Sequence, residues 1–369
     1  MNIITKKIIA TIAAIIIIVA AIWYLESLKP KSTIPSGAAD VSLQRTETTA
    51  QKEKNYPLAK EIISPAGFIN SDDNLKIQNL IGKKVILVDF WTYSCINCQR
   101  TLPYLTSWYD KYKDQGLEII GMHTPEFEFE KQYDNVARAV EQYNIKYPVV
   151  LDNDYGTWQA YGNRYWPRKY LIDVDGFIVY DHIGEGGYEE TEKKIQSLLG
   201  ERASRLGEDK VITKDITAIK ADSLRAKSPE IYFGANRNSY LDNGQTRQTG
   251  EQIFIEPAKI KTNFLYLTGK WNIQNEYAKN LAKNAKVIFR YQASDVFFVA
   301  EAKKGARLKV LLDGKQVSTS MAGSDVNNGI IDVNDSRLYK VIETSEYGEH
   351  TLELIIEDGA VDMYTFTFG

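Results

Sequence analysis

The sequence predicts an α/β unit built on a parallel sheet, then an all-β antiparallel sandwich, both following a single apolar span at the N-terminus. Three observations carry this. Between Val85 and Leu151, apolar runs of strand length alternate with stretches of helical spacing, the pattern of a parallel sheet with crossover helices. Beyond Ser228-Pro229 the chain turns to short β-rich runs separated by turn signals. Residues 8–25 form an uncharged run long enough to cross a bilayer.

Composition narrows the function. A chain of 369 residues suits two domains with additional segments. Its 45 basic and 48 acidic residues are interspersed, with a formal net charge of −3 and no basic stripe, which argues against a nucleic-acid partner. Two cysteines cannot build a disulfide framework, so the fold must rest on apolar cores. A zinc site would need two further ligands, and His123, His182 and His350 stand at no ligand spacing. Gln99 follows the second cysteine where a c-type haem would need histidine. No metal or cofactor is expected beyond the cysteine pair.

In chain order, Lys6 and Lys7 before the apolar run place the N-terminus in the cytoplasm and all later residues outside. Trp23 and Tyr24 then fall at the outer interface. The alternative is a cleaved signal peptide ending near Val19-Ala20-Ala21, and either form exports the protein. The anchor is assigned to residues 1–26, and a flexible tether of low apolar content to 27–55.

The α/β domain is assigned to residues 56–205. Val85 to Trp91 reads as a buried parallel strand, and Leu117 to His123 and Tyr147 to Leu151 as the next two. Helical spacing follows Cys98 as far as Tyr109 and recurs from Phe129 to Tyr143. Gly116 supplies the first helix with a C-cap. Tyr170 to Tyr180 is a hairpin around Asp175-Gly176, and Glu189 to Leu199 is the closing helix. A charged linker is assigned to 206–227 and the β-sandwich to 228–369, with a turn at Asp313-Gly314.

The two cysteines sit three apart in Phe90-Trp91-Thr92-Tyr93-Ser94-Cys95-Ile96-Asn97-Cys98-Gln99-Arg100, between a strand and a helix. A Cys-x-x-Cys at such a junction is a thiol redox motif. This string, with Gly121-Met122-His123-Thr124-Pro125-Glu126-Phe127, Tyr165-Trp166-Pro167 and Gly184-Glu185-Gly186, resembles the exported part of the DipZ group of thioredoxin-like proteins. The resemblance continues through Ser228 to Gly234 and into Tyr364 to Gly369, covering about Tyr56 to Gly369. It implies a thioredoxin fold followed by a jelly-roll-like sandwich akin to carbohydrate-binding modules. Full-length members of the group begin with a multi-helix membrane electron carrier. The single span here implies a separate carrier as electron donor.

On that resemblance, Cys95 at a helix start is the attacking thiolate, stabilised by free N–H groups and the helix dipole, and Cys98 is the resolving thiol. Asp89 matches the buried acid of thioredoxin and would accept the Cys98 proton. Pro167 matches the fold's cis-proline, beside which a substrate would pair with Trp166. Trp91 and Trp166 would flank the sulfurs, and Glu126 matches an acid that can approach the site in related exported reductases. His123 could relay a proton, although a satisfied strand-end histidine is the simpler reading. In the sandwich, Trp271, Tyr266, Tyr277 and Tyr291 could stack on an envelope glycan or simply pack the core, and Asp325 and Asp335 could hold calcium.

The expectation is therefore a membrane-anchored extracytoplasmic thiol-disulfide oxidoreductase. It would reduce disulfide-containing exported proteins through the Cys95–Cys98 pair, on the periplasmic or cell-surface side. The alternatives are a disulfide oxidant or isomerase, a glycan-binding envelope protein with regulatory thiols, and a thiol peroxidase. For the last, Thr92 only superficially imitates the required Thr-x-x-Cys context.

Overall fold

The computed structural model describes residues 48–209, 211–219 and 226–369. The apolar span at 8–25 and the tether up to residue 47 lie outside them. Among the described residues no helix is long and apolar enough to cross a membrane.

The first half runs α1 (Thr49–Asn55), β1 (Gly67–Ile69), α2 (Ile77–Leu80), β2 (Val85–Trp91), α3 (Ile96–Tyr112), β3 (Leu117–His123), α4 (Tyr133–Gln142), β4 (Val149–Leu151), α5 (Gly156–Ala160), β5 (Arg168–Ile172), β6 (Ile178–Ile183) and α6 (Tyr188–Leu206). Its six-stranded sheet has the order β1-β4-β3-β2-β5-β6. The β4-β3-β2 core is parallel, the hairpin β5–β6 joins β2 antiparallel, and β1 closes the far edge antiparallel.

Strand β2 is buried along its whole length because both faces of a crossover sheet are covered. Val85, Leu87 and Trp91 join the core under α3 and α6, while Ile86, Val88 and Phe90 join the opposite one. By that two-residue period Asp89 faces the α3 side, among apolar neighbours. Helix α6 runs past the expected Leu199 to Leu206 because Ala203 is buried and Arg202 holds Glu208 at 2.8 Å; Gly207, at φ +65°, then closes it.

Two segments expected to be loose are fastened down. The tether assigned to 27–55 ends in α1, whose Lys52 ammonium is buried against Asp173 (2.6 Å), Asp175 (3.0 Å) and Glu201. Those three carboxylates stand as metal ligands could, but the lysine already neutralises them. In the linker assigned to 206–227, the stretch 211–219 is tied to the α/β domain, with Thr217 N donating to Glu192 (2.7 Å) and Thr213 N to Gln115 (3.0 Å).

The second half runs β7 (Ile231–Tyr232), β8 (Gly250–Phe254), β9 (Leu265–Ile273), β10 (Ala278–Asn280), β11 (Lys286–Glu301), β12 (Ala306–Leu312), β13 (Lys315–Gln316), β14 (Ile330–Val333), β15 (Arg337–Gly359) and β16 (Asp362–Phe368). All pairings between these strands are antiparallel, as expected, but they form one continuous hydrogen-bonded network rather than two separate sheets. Register shifts at Ala293/Asp295 and Val296/Phe297 bend the long β11, so its first part pairs with β9 and its last part with β16. The ladder thus closes the circuit β9-β11-β16-β10-β9 around one core.

The two halves share a core. Phe297, Val299, Leu338 and Tyr364 pack into the same apolar cluster as Tyr93, Ile96, Phe127 and Phe129. The Tyr364 ring lies 4.9 Å from Phe127 and 4.8 Å from Phe129, and Tyr93 Oη donates to Ser336 O at 3.0 Å. The all-β half is therefore packed directly against the loop that carries Cys95.

Candidate active site

The loop Thr92-Tyr93-Ser94 leaves the end of β2 and delivers Cys95 to the N-cap of α3. Its Sγ accepts the N–H of Cys98 at 3.4 Å. The amides of the first helical turn and the positive end of the helix dipole lie at that sulfur. Cys95 is partly exposed and Cys98 is buried; both thiols are free. Burial raises the Cys98 pKa well above the ordinary thiol value, and the neighbouring Cys95 and the charge of Asp89 add to it.

Asp89 lies below this pair, 1% exposed, and its Oδ1 has no hydrogen-bond partner. Burial pushes its carboxyl up to about 7, against the opposing charge of Lys169. Lys169 stands opposite Asp89 in the β2–β5 register and is itself fully buried, with Nζ donating to Gly184 O at 3.2 Å. Burial lowers the Lys169 pKa, and Asp89 holds it up. The buried hydroxyl of Tyr147, which has no partner, senses both Asp89 and Cys98.

Pro167 follows a cis peptide bond from Trp166. Phe90 pairs with Arg168, and continuing that register sets Pro167 opposite Trp91, where the Cys95 loop departs. Trp166 is partly buried, donates from Nε1 to Thr124 O at 3.0 Å and packs on Trp158 at 4.3 Å between ring centres. Trp91 does not flank the sulfurs at the surface: it is a core ring at 0% exposure, edge-on to His123.

Glu126 is turned toward the all-β half, where its Oε1 accepts from Arg237 (2.7 Å) and Tyr232 Oη (3.0 Å). The acid that reaches the cysteine loop is Glu130, which sequence reasoning missed. Its Oε1 accepts from Ser94 Oγ (2.6 Å) and Ser94 N (3.3 Å), and its Oε2 from Glu126 N (2.6 Å) and Phe127 N (3.0 Å). Burial pushes Glu130 up to about 7 against those donors. Nothing in the local sequence marks it, because Glu128 and Glu130 look alike in a polar loop. Lys169 did carry a signal, since it shares its strand face with the core residue Leu171.

His123 is not satisfied: Nδ1 is buried without a partner, and Nε2 faces Thr92 Oγ1 at 3.4 Å. Burial pushes its pKa down to about 3, which leaves a neutral ring and a poor relay. In the all-β half, Trp271, Tyr266 and Tyr291 are core residues and Tyr277 lies against Tyr364 (5.2 Å), so the four rings form no open stacking platform. Asp325 is held by Arg337 (2.7 Å) and Lys340 N, without Asp335.

Residues 68–199 match the family described as Redoxin, and residues 228–369 the family described as Thioredoxin like C-terminal domain. Protein DipZ of Mycobacterium tuberculosis is 32% identical over 334 residues, which is 90% of this chain and 46% of that protein. The chain thus spans about half the length of that relative. The thiol-disulfide oxidoreductase YkuV of Bacillus subtilis is 30% identical over 124 residues, 34% of this chain and 83% of that protein. The thiol-disulfide oxidoreductase ResA of Bacillus cereus is 35% identical over 124 residues, 34% of this chain and 68% of that protein.

Proposed function

We propose that this chain, which belongs to the thioredoxin-like thiol-disulfide oxidoreductases, reduces disulfides of exported proteins outside the cytoplasm. In this reading the run at residues 8–25 holds it to the membrane and a separate membrane carrier resupplies its electrons. The observation that carries the reading is the vertical arrangement of Cys95, Cys98 and Asp89: a partly exposed sulfur on a helix N-terminus, a buried thiol behind it, and beneath them a buried carboxyl with one oxygen unpaired.

The Cys95 thiolate attacks one sulfur of the substrate disulfide; the substrate S–S bond breaks and its second sulfur leaves as a thiolate. Asp89 takes the proton from Cys98, directly or through water, and the Cys98 thiolate attacks Cys95. The mixed disulfide breaks and the substrate leaves with two electrons, while Cys95 and Cys98 form a disulfide that an external dithiol must reduce. An extended substrate segment pairs along the Trp166 backbone next to Pro167.

A Cys98→Ser variant expressed in its native envelope should accumulate mixed disulfides on Cys95, visible as adducts that a reducing gel dissolves. Absence of any adduct, or a measured potential near that of strong oxidants at about −120 mV, would overturn the reductase reading.

A further inference from the structure

A cleft of about 290 Å³ opens beside Trp166, and the all-β half supplies much of its lining. Glu126, Tyr155 and Trp166 form one wall, and Tyr232, Arg237 and Glu276 the other. We propose that this cleft is a recognition subsite for a basic side chain of the disulfide-bearing polypeptide, close to its cysteine. The inference rests on the function proposed above and names the substrate feature that the same site selects.

Continuity with the substrate edge is the first argument. The side chain of Trp166 lines the cleft, while its backbone is the edge along which an extended substrate runs. Adjacent residues of an extended chain are about 3.3 Å apart, so a residue within a few positions of the substrate cysteine reaches the opening. A volume near 300 Å³ is at the small end of ligand pockets and suits one long side chain.

The far wall is built. A Cβ on Gly234 would lie 2.1 Å from the Glu276 carbonyl carbon, so only glycine lets the β9–β10 turn approach this closely. Ala235 N donates to Gln274 O (2.8 Å) and Asn236 N to Asn275 O (2.9 Å), fixing the turn from behind. Glu276 Oε2 then accepts Glu128 N at 2.9 Å, which latches the turn across to the α/β half.

Charge decides the class of occupant. Glu126 and Glu276 face one cation, Arg237, which is committed to Glu126 and stacked 3.7 Å above the Tyr232 ring. Both bonds to Glu126 fall on Oε1 and the latch uses Oε2 of Glu276, so each carboxylate has a second oxygen to offer an ammonium or guanidinium. The Tyr155 phenol reads the same field: after burial, Glu130, Glu126 and Glu276 push it up to about 12, against Arg237. The aromatic walls would carry the aliphatic stem of a lysine or arginine.

The test uses the full chain, reduced beforehand, and disulfide-bridged peptides that differ only in Lys or Glu two residues from one cysteine. The ratio of second-order rate constants, Lys over Glu, should be about five-fold, the discrimination one partly buried ion pair supplies. Glu276→Gln, which keeps an oxygen for the Glu128 latch, and Asn275→Lys, at an exposed position, should each bring the ratio toward one. A ratio near one in the unaltered protein, or an unchanged ratio in both variants, overturns the subsite alone. Failure to reduce either peptide or insulin overturns the reductase reading, and this inference with it.

Discussion

Two buried carboxyls flank the cysteine motif, and their environments differ. Asp89 lies beneath Cys98 and Glu130 beside Ser94; each is essentially without solvent exposure and burial pushes each up to about 7. Asp89 has an oxygen with no hydrogen-bond partner, whereas Glu130 accepts from four donors. The same pKa thus serves opposite ends. A buried acid with an unpaired oxygen is available to take a proton, and one saturated with donors ties two loops together.

The contrast can be broken most forcefully at Glu130. Glu130→Ala strands the Ser94 hydroxyl and the amides of Glu126 and Phe127, so denaturant unfolding at pH 6 should show a loss of about 3 kcal/mol. A loss below about 1 kcal/mol would mean that Glu130 is not the tie described.

Asp89→Asn should act with the opposite sign. Its raised folded pKa means that the folded state binds more protons than the unfolded chain between about pH 4 and 7, so wild-type stability falls as pH rises through that window. The variant escapes this penalty: unfolding at pH 8 should show it more stable by roughly 2 kcal/mol, with no difference at pH 3. Its release of trapped substrate should nonetheless slow at least about ten-fold, because Cys98 loses its base. Equal stability at pH 8 and unchanged release would remove the distinction between the two acids.

The smallest effect is expected at Tyr93, where the loop touches the all-β half. Tyr93→Phe removes the hydroxyl that donates to Ser336 O and should lower stability by about 1 kcal/mol, read from the same unfolding curves.

The parallel strands, the redox pair and the buried acid on β2 were legible because each leaves a local mark, whereas Pro167 was reached through the family resemblance. Val85 to Trp91 is a continuous apolar run, Cys95 and Cys98 are the chain's two cysteines, and Asp89 interrupts an apolar strand. The rest depended on distant partners. Glu126 looked like the site acid, yet Arg237 and Tyr232, more than a hundred residues later, claim it. Glu130 gains its role only by meeting Ser94 across the loop. Lys52 looked like one more charge in a tether until Asp173, Asp175 and Glu201 were brought around it. The aromatic residues of the all-β half left a sugar surface open beside core packing, because composition does not reveal which face of a strand is buried. The bends in β11 likewise turned two expected sheets into one continuous ladder.

The cluster of Tyr93, Phe127 and Phe129 with Tyr364 bears on how the molecule can be dissected. Cutting the chain at the linker would leave this greasy seam bare on the redox half, next to the opening where substrates enter. Such a fragment would tend to self-associate through the surface that should meet its clients, and the severed partner would carry the matching liability. Heat or denaturant should therefore melt both halves in one cooperative transition rather than peel them apart.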